Sequence, residues 1–332
     1  MNRHAIGVYM LTKPDFIKKK IVLIFANDGD KLSFKNDNLI VTNKDNEIRL
    51  QQTCYSLFAI FLIGNTSITS GLIQRSKKFG FSIMLFTSTF KLYSSINFML
   101  EGNTILRKKQ YTTTKGSAIA NKIIINKIRN QQEVLKRLRN KDTAEAVDNL
   151  NDAIARLSNN DYQINEIMGL EGTTAKVYFN RLFKEFGWHG RQPRIKRDEI
   201  NLLMDIGYTA LFNYLEAVLN IYGFDVYKGN LHQEFYSRKS LVCDIIEPFR
   251  PIIDYKIRKM INLGQTKNYE YFMEHGKYNL AWKDSSDFLQ NILKEIVNHQ
   301  EQIFTYIQQY YRWFMKDQNI DTFPEVSLNV NN

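Results

Sequence analysis

Between Ile200 and Gly223 the sequence runs INLLMDIGYTALFNYLEAVLNIYG, and no other stretch limits the fold so strongly. On a helical wheel it is apolar nearly all round, so no face is left for water. A helix of this kind belongs at the centre of a domain, with other elements supplying its surroundings. The chain offers those elements. Helical periodicity dominates from about Thr112 to about Lys316. Ile119, Ile123, Asn126 and Asn130 track one face of a basic helix, with Ile124 and Ile128 beside it. Glu145–Leu157 reads as a short acidic amphipathic helix on the surface. Leu289, Ile292, Leu293, Ile296, Ile303, Ile307, Tyr310 and Phe314 mark a long amphipathic helix or a helix pair. The polar stretch Val326–Asn332 is expected to fray.

The first hundred residues have a different period. IVLIFAN, KLSFK, NLIVTN and EIRLQ are short β-prone runs, separated by NDGD, KND and NKDN, which carry tight-turn chemistry. They read as hairpins. SLFAIFLI follows as a buried strand, closed by Gly64-Asn65. Ser70–Phe79 reads as a short helix, leading through Gly80 into a second apolar strand, FSIMLF. The fold class is therefore α+β: a small N-terminal β-rich domain followed by a larger all-α domain. Its segments are a leading stretch at 1–20, the β-rich domain at 21–96, a linker at 97–114, the helical domain at 115–316 and a tail at 317–332.

A chain of 332 residues with 44% hydrophobic and 13% aromatic content has the means to build such a core. Its longest apolar run, Leu57–Ile63, falls far short of the ~20 residues that span a bilayer. Met1–Lys20 lacks the apolar core and cleavage site of a secretory signal. A soluble intracellular protein is expected. Cys54 and Cys243 are too few for a disulfide framework or a four-thiolate zinc site, and read as small buried hydrophobes.

The net charge of +11 is concentrated. Arg107–Lys141 holds eleven Lys or Arg against one acid, Glu133. A polyanion is the natural partner, because basic side chains aligned with phosphates release condensed counterions. Lys122, Arg129 and Lys136 are the candidate DNA contacts of this run. A solvated helix face is the plainer explanation of any one charge run. Lys184, Arg191, Arg194, Lys196 and Arg197 form a second basic cluster, which a solvated loop explains almost as well.

Three places carry possible chemistry. In SLVCDIIEPFRP, Asp244 and Glu247 are three residues apart and share one helix face, with Leu241, Val242, Ile245, Ile246 and Phe249 filling the rest. Buried carboxylates need cations, donors or a metal. A structural salt bridge, for example to Arg250, is the simpler account of this stretch alone. Pro248 should kink or loosen the helix. In GLEGTTAKVYFNRLFKEF, Glu171 extends the inward face set by Ala175, Tyr178, Phe179, Leu182, Phe183 and Phe186. Gly172 and Ala175 would let another element approach it. The alternative is a helix-start Glu satisfying first-turn N–H groups. His232 sits on the loop leading into the acidic helix, whose expected N-cap is Ser237. His189, in GWHGR, reads as a turn residue. Arg238 and Arg250 flank the acidic helix, where each could hold a phosphate or an acid, Arg238 pairing with Glu234 in the latter case. One His with two or three carboxylates makes a mixed N/O site suited to Mg²⁺ or Mn²⁺.

Together these segments resemble the CRISPR-associated integrases of the Cas-one family. GLEGTTAKVYF looks like the family's glutamate motif, and KRDEINLLMDIGYTALFNYLEAVLNIYGFD like its central helix. KGNLH looks like its histidine motif, and SLVCDIIEPFRPIID like its acidic motif. LEGNTILRKKQY fits the segment joining the two domains. The resemblance covers roughly Ile21 to Phe314, and Met1–Lys20 precedes the family's usual start. It implies a metal-dependent enzyme that inserts protospacer DNA into a CRISPR array, with endonuclease side activity, in the prokaryotic cytoplasm. It implies Glu171, His232 and Glu247 as metal ligands with Asp244 as a further acid, the roles of Asp244 and Glu247 being exchangeable. It implies a β-rich domain that dimerises, a catalytic helical domain, double-stranded DNA as substrate, and two homodimers bridged by a small Cas-two dimer. Transesterification by a 3′-hydroxyl needs clustered carboxylates in a sheltered site and no covalent enzyme intermediate. A stand-alone metal-dependent repair nuclease and a non-catalytic helical nucleic-acid-binding protein are the competing readings.

Overall fold

A computed structural model of the chain describes residues 12–27, 29–64, 67–97, 103–138, 143–193 and 195–328. A short helix, α1 (Lys13–Ile17), precedes the first strand, β1 (Lys20–Phe25). The next strands, β2 (Lys31–Lys35), β3 (Asn38–Thr42) and β4 (Ile48–Thr53), form an antiparallel meander. Asn36 and Asp37 take positive φ at the β2–β3 turn, the geometry of a two-residue type I′ hairpin. Then come β5 (Leu57–Ile63), α2 (Ser70–Phe79), β6 (Ser82–Phe86) and β7 (Leu92–Ile96). Helix α2 spans the residues expected from the sequence, and left-handed Gly80 closes it.

The expectation of hairpins throughout holds for β2–β4 and fails for β1. This strand skips the meander and pairs in parallel with β5, which pairs in parallel with β6. The sheet order is β1-β5-β6-β7, with β7 antiparallel at one edge. Strand β5 is buried along its whole length. Leu57, Ile60 and Leu62 pack with Leu39 and Val41 of the meander, whereas Phe58, Phe61 and Ile63 face the helices. A strand covered on both faces reads as a continuous apolar run, as LFAIFLI does.

The helical part contains α3 (Thr104–Thr112), α4 (Gly116–Lys136), α5 (Thr143–Asn159), α6 (Ile164–Leu182) and α7 (Glu199–Tyr222). It continues with α8 (Ser240–Ile246), α9 (Arg250–Asn262), α10 (Trp282–Asn298) and α11 (Gln300–Met315). It is not purely helical. A hairpin of β8 (Tyr271–Glu274) and β9 (Lys277–Leu280) turns at His275-Gly276, both at positive φ. Helix α7 is the expected central helix. It is long and apolar enough to cross a membrane, a possibility that run length alone misses, yet 83% of its most apolar window is buried inside the fold. Its buried Glu216 is held by Lys239 Nζ at 2.7 Å, at the start of α8.

Aromatic contacts join the halves. Phe16 of α1 is 1% exposed, stacks on Phe304 of α11 with centroids 4.5 Å apart, and meets Phe58 of β5 edge-on at 5.1 Å. Phe58 in turn packs edge-on against Tyr214 of α7. Phe16 of the leading stretch is thus part of the core, and residues 1–11 lie outside the described residues. At the other end the expected fraying does not occur up to residue 328. Val326 and Leu328 are buried. Asn126 of α4 donates to the Val326 carbonyl (2.8 Å) and accepts from its N–H (3.0 Å), and Asn130 accepts from Leu328 N–H. Two asparagines one helical turn apart therefore receive an extended segment as a strand edge would.

Gly207 lets α7 and α9 cross closely: a Cβ there would lie 2.5 Å from Ile253 Cγ2. Gly207→Ala is expected to cost about 2 kcal/mol through overpacking, read as a lowered urea midpoint. Adding Ile253→Ala should cost less in that background than alone, since the two side chains compete for one space.

Candidate active site

Pro248 and Pro251 each remove an N–H donor, so a 3-10 turn, Glu247–Phe249, separates α8 from α9. Asp244, Glu247, Arg250 and Asp254 follow one another along the face of this broken helix. The site grows from that stripe.

Asp244 is fully buried. Its carboxylate accepts from the backbone N–H groups of Asn230 (2.5 Å), Leu231 (3.0 Å) and His232 (2.9 Å), and lies 2.8 Å from His232 Nδ1. A carboxylate already accepting from three amides is an acceptor here, so His232 Nδ1 donates and Nε2 keeps its lone pair. Gly229 makes the approach possible: a Cβ would come within 2.9 Å of both Asp244 Oδ2 and the Ser240 side chain. The expected N-cap, Ser237, is instead a left-handed turn residue, and Lys239 occupies the cap position. The Ser240 hydroxyl bonds back to the Gln233 carbonyl.

Glu247, one turn further along the same face, lines a cavity of about 640 Å³. Its Oε2 accepts from Lys127 Nζ of α4 at 2.7 Å, and its Oε1 lies 3.0 Å from Arg250 Nε. The same Lys127 ammonium donates to Glu171 Oε1 of α6. One buried cation thus joins carboxylates from two different elements. Burial opposes the charge of Glu247, but Arg250 and Lys127 outweigh it, with a smaller contribution from His232, and hold the carboxyl at about 2. Burial likewise opposes the Lys127 charge, and Glu247 and Glu171 outweigh it, so its pKa is raised.

Glu171 lies mid-helix rather than at a helix start. Helix α6 begins two turns earlier, where Gln163 and Glu166 form the capping box. Gly172 opens onto the cavity: a Cβ placed there would have no atom within 4 Å, so the glycine does not admit another element. Among the described residues no three His, Cys, Asp or Glu side chains are clustered tightly enough to cage an ion. The structure brings Glu171 and Glu247 to one cationic centre and turns His232 towards Asp244. The donor set nevertheless fits a hard divalent ion: the position shared by the two carboxylates already holds a cation, the Lys127 ammonium.

Residues 23–294 match the family model of CRISPR associated protein Cas1. The chain belongs to the Cas1 family. It is 28% identical over 265 residues to the CRISPR-associated endonuclease Cas1 1 of Thermodesulfovibrio yellowstonii, covering 75% of this chain and 80% of that one. It is 32% identical over 172 residues to the CRISPR-associated endonuclease Cas1 of Leptospira interrogans, covering 48% and 68%. Its fold is similar to a casposase bound to integration product (TM-score 0.78, 19% identity, 94% of this chain and 96% of that one). It is also similar to a chain of a Cas6-RT-Cas1–Cas2 complex (TM-score 0.77, 22% identity, 95% of this chain), of which it spans 36%.

Several residues of this Cas1 site do not stand out in the sequence. Lys127 is submerged in a charge run. Asp254, seven residues after Glu247, is fully buried in the cavity wall and accepts from Tyr208 Oη and, at 3.2 Å, from Tyr178 Oη. Burial pushes its carboxyl up to about 6, with Tyr208 and Arg250 pulling it down. Arg191 pairs with Asp205 at 2.5 Å and lines the cavity with His189, which is more than a turn residue. Arg250 lies over the Tyr208 ring at 4.6 Å.

The basic run Arg107–Lys141 is not one continuous surface. It divides between α3 and α4, and thirteen of the 21 residues of α4 are buried, so most of that helix is core. Arg129 pairs with Glu325, and Lys136 with Glu133 at 2.8 Å. Such exposed pairs are worth about 0–1 kcal/mol and yield readily to phosphate. Lys122 is half-buried. Arg238 lies against Cys243, while Glu234 pairs with Lys228 instead. Arg139, Lys141 and Arg194 lie outside the described residues.

The Glu247 carboxyl titrates well below its ordinary 4.5, so its stabilisation is present above that pH and is lost as pH falls towards 2. Glu247→Gln should cost about 3 kcal/mol at pH 7, and the gap to wild type should narrow in urea titrations below pH 4.5. Asp244→Ala strands three backbone N–H groups and should cost about 3–5 kcal/mol. Hydrogen exchange at residues 230–232 should rise before the rest of the helical region opens.

Proposed function

We propose that this Cas1-family chain is a metal-dependent DNA integrase that inserts protospacer fragments into a CRISPR array, with endonuclease side activity. The observation that carries the reading is the pairing of Glu171 and Glu247, from separate helices, around one cationic position in a cavity rimmed by Arg191, Arg250 and Lys176. A Mg²⁺ or Mn²⁺ ion at that position would be held by Glu171, Glu247 and His232 Nε2, and would supply Lewis acidity towards a phosphodiester oxygen. Asp244 is then a positioning residue: it presents His232 in one tautomer and touches no substrate. Arg250 keeps one oxygen of Glu247 engaged, leaving the other for the ion. Arg191 and Lys176 offer charge to the DNA backbone, and the apolar wall of Phe179 and Ala175 limits water near the attacked phosphate.

The relatives support this reading. Curated family members are named endonucleases, and a chain of similar fold was solved as a casposase bound to integration product. A Cas1–Cas2 complex of similar fold favours a small Cas2 dimer as partner, bridging two Cas1 homodimers on protospacer and repeat DNA. The relatives named come from prokaryotes, which favours action in the prokaryotic cytoplasm.

Glu247→Ala and His232→Ala should each lower joining of a labelled 3′-hydroxyl fragment to repeat DNA by at least 100-fold while DNA affinity stays within about 3-fold. Chelation by EDTA should do the same, with recovery on adding Mn²⁺. Cleaved fragments without joined product, even with the Cas2 partner present, would identify a nuclease acting alone. Unchanged joining in both variants would remove these residues from the site.

A further inference from the structure

Lys127 is an unusual residue to find where it stands. It occupies the apolar stripe of α4, between Ile123, Ile124 and Ile128, and is 6% exposed. Its four-carbon stem is packed like a hydrophobe, and its ammonium reaches the wall of the large cavity. There it contacts one oxygen of Glu171 and the one oxygen of Glu247 that Arg250 does not take. The ammonium therefore has the same two carboxylate ligands that the proposed metal site would use. Two cations, Lys127 and Arg250, thus face Glu171 and Glu247, with the buried Asp254 in the same cavity wall, so no positive charge is in excess as the cluster stands.

We propose that Lys127 is the resident counter-cation of this site, displaced into the cavity when a divalent ion binds, and that this competition sets the affinity for the metal. The inference rests on the metal-site reading above. Without a cation between them, Glu171 and Glu247 would repel each other in a sheltered place, at a cost that grows as water is excluded. Lys127 removes that cost in the empty protein. Its stem is flexible and the adjoining cavity has room, so the ammonium can leave the carboxylates without moving α4. Arg250 has no comparable freedom, since it is fixed over Tyr208 and on Glu247 Oε1. Exchange of the ammonium for a divalent ion adds one positive charge at the carboxylates, and the displaced ammonium nearby brings the gain across the cavity to two. The site then attracts a phosphodiester only after the ion is in place, with the displaced ammonium beside it.

The test uses the full chain with Mn²⁺ alone and no DNA. Acylation of lysines in the wild type, read by mass spectrometry, should be at least tenfold faster at Lys127 with saturating Mn²⁺ than without it. Lys122, half-buried on the same helix, should keep its rate and serves as the internal control. Calorimetry should give Lys127→Met at least tenfold tighter Mn²⁺ binding than wild type, and a larger Mn²⁺-induced rise in Tm from a lower metal-free value. Mn²⁺ binding that Glu247→Ala abolishes, combined with an unchanged labelling rate at Lys127, would overturn the proposal and leave the metal site standing. Equal or weaker binding by Lys127→Met would overturn it as well. Failure of both wild type and Lys127→Met to bind Mn²⁺ would defeat the metal-site reading, and this inference with it.

Discussion

The structure depends on one constraint: a charge taken out of water must meet its opposite or a set of donors. Glu216, Asp244, Glu247, Asp254 and Lys127 are all nearly or fully buried, and each meets that condition differently. Glu216 takes a lysine from the start of α8. Asp244 takes three amides and an imidazole. Asp254 takes two tyrosine hydroxyls. Glu247 takes an arginine and a lysine. Because the partners come from different elements, each neutralised charge also fixes the position of one element against another. The polar interior is in this sense the framework of the helical part, with the hydrophobic core filling the space around it.

The same logic separates two acids that look alike in sequence. Asp244 and Glu247 are one helical turn apart on a single buried face. The loop that Gly229 brings close saturates Asp244 with amides, whereas Glu247 opens on the cavity and meets only side-chain cations. Amide donors are fixed by the backbone and cannot be exchanged. Side-chain cations can. The shorter acid is thus committed to architecture and the longer one is available for chemistry. Helix α4 shows a similar division along one stripe: Asn126 and Asn130 hold backbone, while Lys127 between them reaches the carboxylates.

Much of the fold is legible because local chemistry agrees with global structure. The Asn-Asp turn, the continuous apolar run of β5 and the capping of α2 each carry their own signal in a few residues. The pairing of β1 with β5 carries none, since a parallel partner is chosen by sequence-distant packing rather than by a turn. Helix α1 has five residues, too few for a period to appear. In the site, Glu171, His232 and Glu247 stand out as polar residues placed among apolar ones. Lys127 meets the same criterion, lying among Ile123, Ile124 and Ile128, yet a count of charges along the chain hides it among its basic neighbours. Asp254 is equally available, two turns beyond Glu247. The destination of Asp244 is not, because it depends on how closely a loop approaches a helix.

The seat of Phe16 has a consequence for the order of events at the ribosome. Its stacking partner, Phe304, is made nearly 300 residues later. At roughly 5–20 residues per second, the aromatic waits on the order of 15–60 s before its pocket exists. Strand β5, which supplies Phe58 at the edge of that pocket, emerges early and can receive β1 long before the helices close over it. Assembly of the two halves is therefore sequential. The sheet is complete while the helical part is still being synthesised, and α1 remains an unfastened clasp until α11 arrives to shut it.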